Sequence, residues 1–120
     1  IIYCAFGTRY DLYLKEIVGF IKKLVSIAAK TPRYLIIFSF DFSLLDKSDF
    51  AIPENVKFFK QVPQLRVLES SDIFICHGGL NSLKESLLCA VPVLVLPLDR
   101  YSDQPGNAAR IGYHRIGYIG

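Results

Sequence analysis

The sequence lacks most of the features that would place a chain in a class at a glance. It has no methionine, and so no start residue. It opens inside the apolar run IIYCAFG and stops at Gly120 just after another strand-like run, so the expectation is a domain excised from a longer protein. No secretory leader is visible, and no apolar run reaches the roughly 20 residues of a membrane span. Only three cysteines occur, Cys4, Cys76 and Cys89, each in an apolar stretch. There is no Cys-x-x-Cys pair and no His/Cys cluster with zinc spacing, which leaves buried, reduced thiols in a cytosolic protein as the expectation. The net charge of +3 is scattered rather than gathered into a block. That speaks against nucleic acid, whose binders concentrate Lys and Arg on one face. Internal repeats and low-complexity segments are absent as well.

What is present is a chain of 120 residues, 52% of them hydrophobic, enough for one domain with its own core. Strand-like and helix-like stretches alternate. Ile1 to Phe6 reads as a buried strand ending at Gly7. Asp11 opens a helix whose apolar positions Ile17, Phe20, Ile21, Leu24 and Ala28 keep helical spacing, and Thr31-Pro32 ends it. Tyr34 to Phe40 reads as a second strand and Asp41 to Asn55 as a polar, irregular connection. Val56 to Phe59 is a third strand, Gln61 to Gln64 a loop, and Leu65 to Ser70 a helical turn or two. Asp72 to Cys76 is a fourth strand, His77-Gly78-Gly79 a turn, and Asn81 to Cys89 a helix. Val93 to Leu96, Ser102 to Ile111 and Ile116 to Ile119 close the series as strand, helix and strand. Alternation with fully apolar strands predicts a doubly wound, Rossmann-like parallel α/β sheet with right-handed crossovers. Ligands of such folds bind beyond the carboxyl ends of the strands. Gly7-Thr8, His77-Gly78-Gly79, Pro97 and Asp99 fall there.

The stretch IFICHGGLNSLKES carries the most chemistry. A buried strand delivers His77, two glycines let a ligand approach the backbone, and Asn81 and Ser82 stand where a helix begins, both good N-cap residues. Free N–H groups and the positive dipole end make such a start an anion site suited to a diphosphate. Glu85, one turn on, can accept from the paired hydroxyls of a ribose. The bland alternative is a capping box, Ser82-x-x-Glu85. His77 directly before the glycines tips the balance toward a ligand. VPQL at Val62 to Leu65 reads on its own as a loop fixed by proline. Beyond the strand that ends at Pro97, a polar loop presents Asp99, Asp103 and Gln104. A carboxylate beside an amide suits sugar hydroxyls, which donate and accept, with a helix cap at Ser102 or Asp103 as the alternative. His114 reads as a surface residue.

Taken in order, VPQ, HGGLNSLKES, a Val-Pro strand and DQPGNA resemble the signature region of the UDP-glycosyltransferases, family 1 of the glycosyltransferases, nearest to bacterial macrolide-type members. The motifs run from Gln61 to Gly112. The resemblance implies the donor-binding, C-terminal half of a GT-B fold, an enzyme that transfers a hexose from a UDP-sugar to an acceptor hydroxyl with inversion. It implies that His77 and Ser82 bind the diphosphate, helped by the amides of Gly79 and Asn81, with Thr8 near the phosphates. It implies that Glu85 and Gln64 meet the ribose, that Val62 meets the base through its backbone, and that Asp103 and Gln104 bind the transferred sugar. Gln61 stands where the family usually has a tryptophan that stacks on uracil. Stacking of that kind is worth about 1–3 kcal/mol in single-strand binders, so either donor affinity falls or another aromatic, such as Phe59, takes the role.

No Asp-x-Asp motif is present, and no metal or other cofactor is expected. The catalytic base and the acceptor pocket belong to an amino-terminal domain outside this sequence, so the chain alone is expected to bind donor but transfer nothing. Two alternatives stand beside this reading. One is the donor domain of an N-acetylglucosamine transferase acting on a lipid-linked acceptor. The other is a non-catalytic Rossmann module, although AFGTRYD lacks the Gly-x-Gly-x-x-Gly fingerprint.

Overall fold

In the computed structural model, all residues are described except 9, 47, 49 and 50, with the backbone alone at residue 10. The strands are β1 (Ile2–Ala5), β2 (Ile36–Ser39), β3 (Val56–Phe59), β4 (Ile73–Cys76), β5 (Val93–Val95) and β6 (Gly117–Ile119). The α-helices are α1 (Leu14–Lys30), α2 (Gln64–Leu68), α3 (Leu80–Leu88) and α4 (Gln104–Tyr113). The strands form one sheet in the order β3-β2-β1-β4-β5-β6, and every pairing is parallel.

Alternation along each strand sends side chains to two cores. Cys4, Ile36, Phe38, Val56 and Ile75 pack against Ile17, Ile21, Val25 and Ala28 of α1. Those four helical positions recur every three or four residues and form one stripe. Tyr3, Ala5, Phe74, Cys76, Val93 and Val95 face the other way, onto Leu83 of α3 and Ala108 and Ile111 of α4. Burial of each large apolar side chain contributes about 1.5–3 kcal/mol, so the two layers hold the strand ends in register.

Three local outcomes differ from the sequence reading. The first helix does not open at Asp11: a 3-10 turn over Tyr10–Tyr13 precedes α1. Tyr13 occupies the cap of α1 and offers it no side-chain bond. The connection read as irregular from Asp41 to Asn55, part of which lies outside the described residues, contains a 3-10 turn at Phe42–Leu44 capped by Asp41. Its last residue, Asn55, aims its amide nitrogen at the carbonyls of Ala28, Thr31 and Tyr34, tying off the end of α1. Third, α3 begins one residue earlier than expected, at Leu80, with Gly79 as its N-cap. Asn81 and Ser82 therefore sit inside the first turn and cap nothing, which removes the capping-box alternative.

The chain leaves β1 for β2 on one side and later inserts β4 on the other, so the order reverses between β1 and β4. That reversal opens a crevice above the carboxyl ends of these two strands. Among the described residues no helix is long and apolar enough to cross a membrane.

Candidate functional site

Two strand ends build the floor of the crevice. After β1 the chain turns at Gly7, whose φ is +78°, and after β4 at Gly78, whose φ is +93°. Both lie in the left-handed region that glycine enters without the strain of a Cβ. The imidazole of His77 lies between the two turns. A Cβ on Gly7 would stand 2.7 Å from its Cε1, and one on Gly79 2.8 Å from its Nε2. The ring thus needs the absence of a side chain on both sides.

His77 Nδ1 is buried and has no hydrogen-bond partner among the described residues. Burial pushes the imidazole pKa down, and the negative charge of Asp103 opposes that shift. The result favours a neutral ring in the free protein with bonding capacity that the fold does not use. An anion placed beside it would reverse the balance.

The amino end of α3 meets the same space. With Gly79 as cap and no side chain closing the turn, the first intrahelical bond is that of Leu83 N–H to the Gly79 carbonyl. The amides of Leu80, Asn81 and Ser82 precede it in the first turn, where helix donors lack intrahelical partners. A cleft of about 490 Å³ is lined by Gly7, Thr8, His77, Gly79, Asn81 and Ser82 together with Leu98, Asp99, Ser102 and Gln104. A second cleft of about 380 Å³ adjoins it, shares Gly7 and Thr8, and extends past Tyr3 and Ser39 to Lys60, Gln61, Val62 and Gln64. A larger, mostly apolar groove of about 960 Å³ lies at the β6 edge, between Leu87, Pro92 and Tyr118. It holds none of the convergent polar groups that mark a small-molecule site.

Gln64 joins the two clefts to α3. Its amide nitrogen donates to Glu85 Oε2 at 2.6 Å and to Ser82 Oγ at 3.2 Å. The Tyr3 hydroxyl donates to its carbonyl oxygen at 3.2 Å. The sugar-side residues are held differently. Gln104 Oε1 accepts from the backbone N–H groups of Leu98 and Asp99, at 2.8 and 3.2 Å. Its carbonyl therefore shapes the loop, and its NH2 group is what remains for a ligand. Asp103 is exposed, lines neither cleft and accepts from Asn107 Nδ2 at 2.9 Å. That same nitrogen reaches the Gly78 carbonyl at 3.0 Å, so a buried amide links α4 to the glycine turn.

The placement of the sequence-selected residues is thus uneven. Thr8, His77, Gly79, Asn81, Ser82 and Gln104 converge on one cleft, Gln61, Val62 and Gln64 on its neighbour, and Glu85 is reached through Gln64. Phe59 is exposed and does not line the second cleft, so no aromatic other than Tyr3 stands at that wall among the described lining residues. Sequence reasoning passed over Tyr3 and used Asn107 only as a letter of the DQPGNA motif. Each left a signal: a hydroxyl inside an otherwise apolar strand, and an amide at a core-facing position of a helix. Among the described residues no group of three His, Cys, Asp or Glu side chains could hold a metal ion.

Comparison with known proteins gives the family and the fold. The family model for "UDP-glucoronosyl and UDP-glucosyl transferase" matches residues 22–117. The chain is similar to the UDP-glucosyltransferase YdhE of Bacillus subtilis, with 48% identity over 67 residues, which cover 56% of this chain and 16% of that protein. Among solved structures it is similar to the glycotransferase of kitacinnamycin, at a TM-score of 0.82 and 28% identity over 99% of this chain and 30% of the other. It is also similar to UDP-glucose:anthocyanidin 3-O-glucosyltransferase solved in complex with UDP, at 0.77 and 27%, over 98% of this chain and 26% of that one. The chain thus spans less than a third of the length of these relatives. The sheet and its flanking helices are those of the GT-B glycosyltransferases, and with the match over most of its length the chain belongs to the UDP-glucoronosyl and UDP-glucosyl transferase family.

Proposed function

We propose that this chain is the donor-binding part of a glycosyltransferase that moves a hexose from a UDP-sugar to an acceptor hydroxyl with inversion. One observation carries the reading. At the strand-order reversal, the first turn of α3 and the His77 ring line one cleft, and Gln64 bonds both Ser82 of that turn and Glu85, an array of donors and acceptors that suits a diphosphate followed by a ribose. The diphosphate lies against the amides of Gly79 to Ser82 and the imidazole, with Thr8 nearby in the same cleft. The ribose hydroxyls meet Glu85 and Gln64, and the base lies along Val62 and Gln61. Gln104, through its NH2, and Asp103 meet the sugar.

As the bond to the anomeric carbon breaks, charge grows on the leaving diphosphate. Preplaced N–H donors and the helix dipole stabilise that charge without reorganisation, so the reading calls for no metal. The base that deprotonates the acceptor, and the pocket that selects it, lie on an amino-terminal domain outside this sequence, and the setting is cytoplasmic. The strand order also suits a dinucleotide. However, Asp41, the carboxylate at the end of β2, is held by Lys60 at 2.9 Å and by the Ser43 hydroxyl and N–H.

The test is a calorimetric titration of the chain with UDP, TDP and NAD, repeated with His77→Ala. UDP should bind, and the substitution should weaken it about ten- to a hundredfold, the range of a charge-assisted bond. Tight NAD binding without UDP binding would sink the reading, and so would a His77→Ala variant that binds UDP as the parent does. Detectable hexose transfer by the chain alone would refute the division of labour between the two domains. Selective thermal stabilisation by UDP-N-acetylglucosamine would move the substrate assignment to the lipid-linked alternative.

A further inference from the structure

The Tyr3 side chain is 1% exposed and stacks on Phe74, with ring centroids 5.1 Å apart. A phenol so placed needs a partner for its hydroxyl, and the Ser39 hydroxyl beside it supplies one bond. The second bond, to Gln64 Oε1, does more than satisfy it. A glutamine amide can sit in either of two orientations, with oxygen and nitrogen exchanged. At Gln64 the choice is forced from both ends. Glu85 accepts and does not donate, so the NH2 group must turn toward it. The carbonyl oxygen must then turn toward Tyr3, which has to donate.

The two N–H bonds of Gln64 go to Glu85 and Ser82, the two groups of α3 nearest to the proposed ribose and diphosphate. Tyr3 therefore holds the end of a relay that starts at the carboxyl end of β2, crosses β1 and α2 and finishes on α3.

We propose that Tyr3 is a positioning residue for ribose recognition: its hydroxyl fixes the Gln64 amide, and the amide in turn sets the Glu85 carboxylate that receives the ribose hydroxyls. This rests on the nucleotide reading given above and adds to it a residue that touches no ligand. Without the hydroxyl, Gln64 Oε1 loses its donor, and the amide can turn over or swing off Glu85. The loss should be felt at the sugar ring of the nucleoside and not at the diphosphate.

The experiment measures Kd for UDP and for 2′-deoxy-UDP with the wild-type chain and Tyr3→Phe, which keeps the stacked ring. With the wild type, UDP should bind more tightly than its deoxy analogue. Tyr3→Phe should weaken UDP about three- to tenfold, the effect of one hydrogen bond. It should leave 2′-deoxy-UDP within twofold, so that the ratio of the two constants collapses. An unchanged ratio, whether both ligands keep their affinity or both weaken together, overturns the assignment. Should Tyr3→Phe fail to fold, Ser39→Ala, which removes the bond on the other side of the same hydroxyl, carries the test. A ratio lowered at least twofold supports the relay, and an unmoved ratio refutes it. A wild-type chain that binds neither nucleotide brings down the nucleotide reading itself, and with it this inference.

Discussion

Two strand-to-helix turns stand side by side at the strand-order reversal, and they are built differently. After β4, His77 and two glycines pass straight into α3, whose first turn begins four residues beyond the strand. After β1 the chain passes Gly7 and Thr8, makes a 3-10 turn and enters α1 only at Leu14. The first arrangement sets free amides and the positive end of a helix directly over the crevice; the second withdraws its helix from it. In dinucleotide folds the anion site belongs to the turn after the first strand. In this chain the helix start that meets the crevice is the one after β4, while the β1 turn supplies Thr8 and a bare Gly7 backbone for the His77 ring to rest against. That accounts for AFGTRYD lacking the glycine fingerprint.

The comparison breaks most sharply at the two left-handed glycines. A Cβ at Gly78 would meet Val95 Cγ1 at 2.8 Å and the Gln104 carbonyl at 3.3 Å, a core side chain and a backbone atom that cannot withdraw freely. Gly78→Ala should lower the unfolding free energy by about 2–4 kcal/mol, from the positive φ and the overpacking together, as read by urea denaturation. Gly7→Ala faces only the edge of an imidazole that borders a cleft. Its stability loss should be smaller, about 1–2 kcal/mol, while UDP affinity falls because the ring is displaced. Equal stability losses for the two variants would erase the distinction between a turn packed for the core and one packed for the site.

A pH series sharpens the same contrast. The His77 pKa is lowered by burial, so the unfolded chain takes up its proton first as pH falls. The His77 contribution to stability is therefore full above the unfolded value near 6.5 and is lost on acidification below it. A bound diphosphate favours the imidazolium, so binding should take up a proton. Affinity for UDP-glucose should rise from pH 7.5 toward pH 6, by at most about tenfold per pH unit. Calorimetry in buffers of different ionisation enthalpy would show the uptake, and His77→Gln should abolish it.

The smallest effect belongs to a glycine in neither turn. Gly19 lies in the second turn of α1 with nothing within 4 Å of an added Cβ. Gly19→Ala should stabilise by about 0.5–1 kcal/mol without touching UDP binding, and a destabilised variant would show that helical glycines here are not interchangeable with alanine.

Much of this was legible in the residues. Strands buried on both faces declare themselves as apolar runs, and IFIC, VLV and IYCA needed only their neighbours' turns to be placed. The His-Gly-Gly step is legible for the same reason, since few sequences put a polar ring and two glycines at the end of a buried strand. Helix starts were less so. Ser82 and Asn81 are good caps by residue type, yet the cap is Gly79, because the turn is fixed by the packing of Val95 and Asn107 around Gly78, which no local pattern displays. Tyr3 was hidden by its surroundings. Within an apolar strand its ring counts as core, and only the tertiary meeting of β1 with β2 and α2 gives its hydroxyl partners. The held carbonyl of Gln104 is a similar case, since an amide's availability depends on which backbone groups come near it.

Asn107 has a wider consequence. One amide nitrogen spans the Gly78 carbonyl and the Asp103 carboxylate, so two loops separated by some twenty-five positions of chain share a common anchor. The distance between the two loops is therefore set by a buried side chain that belongs to neither, and neither loop can shift alone without giving up one of its bonds.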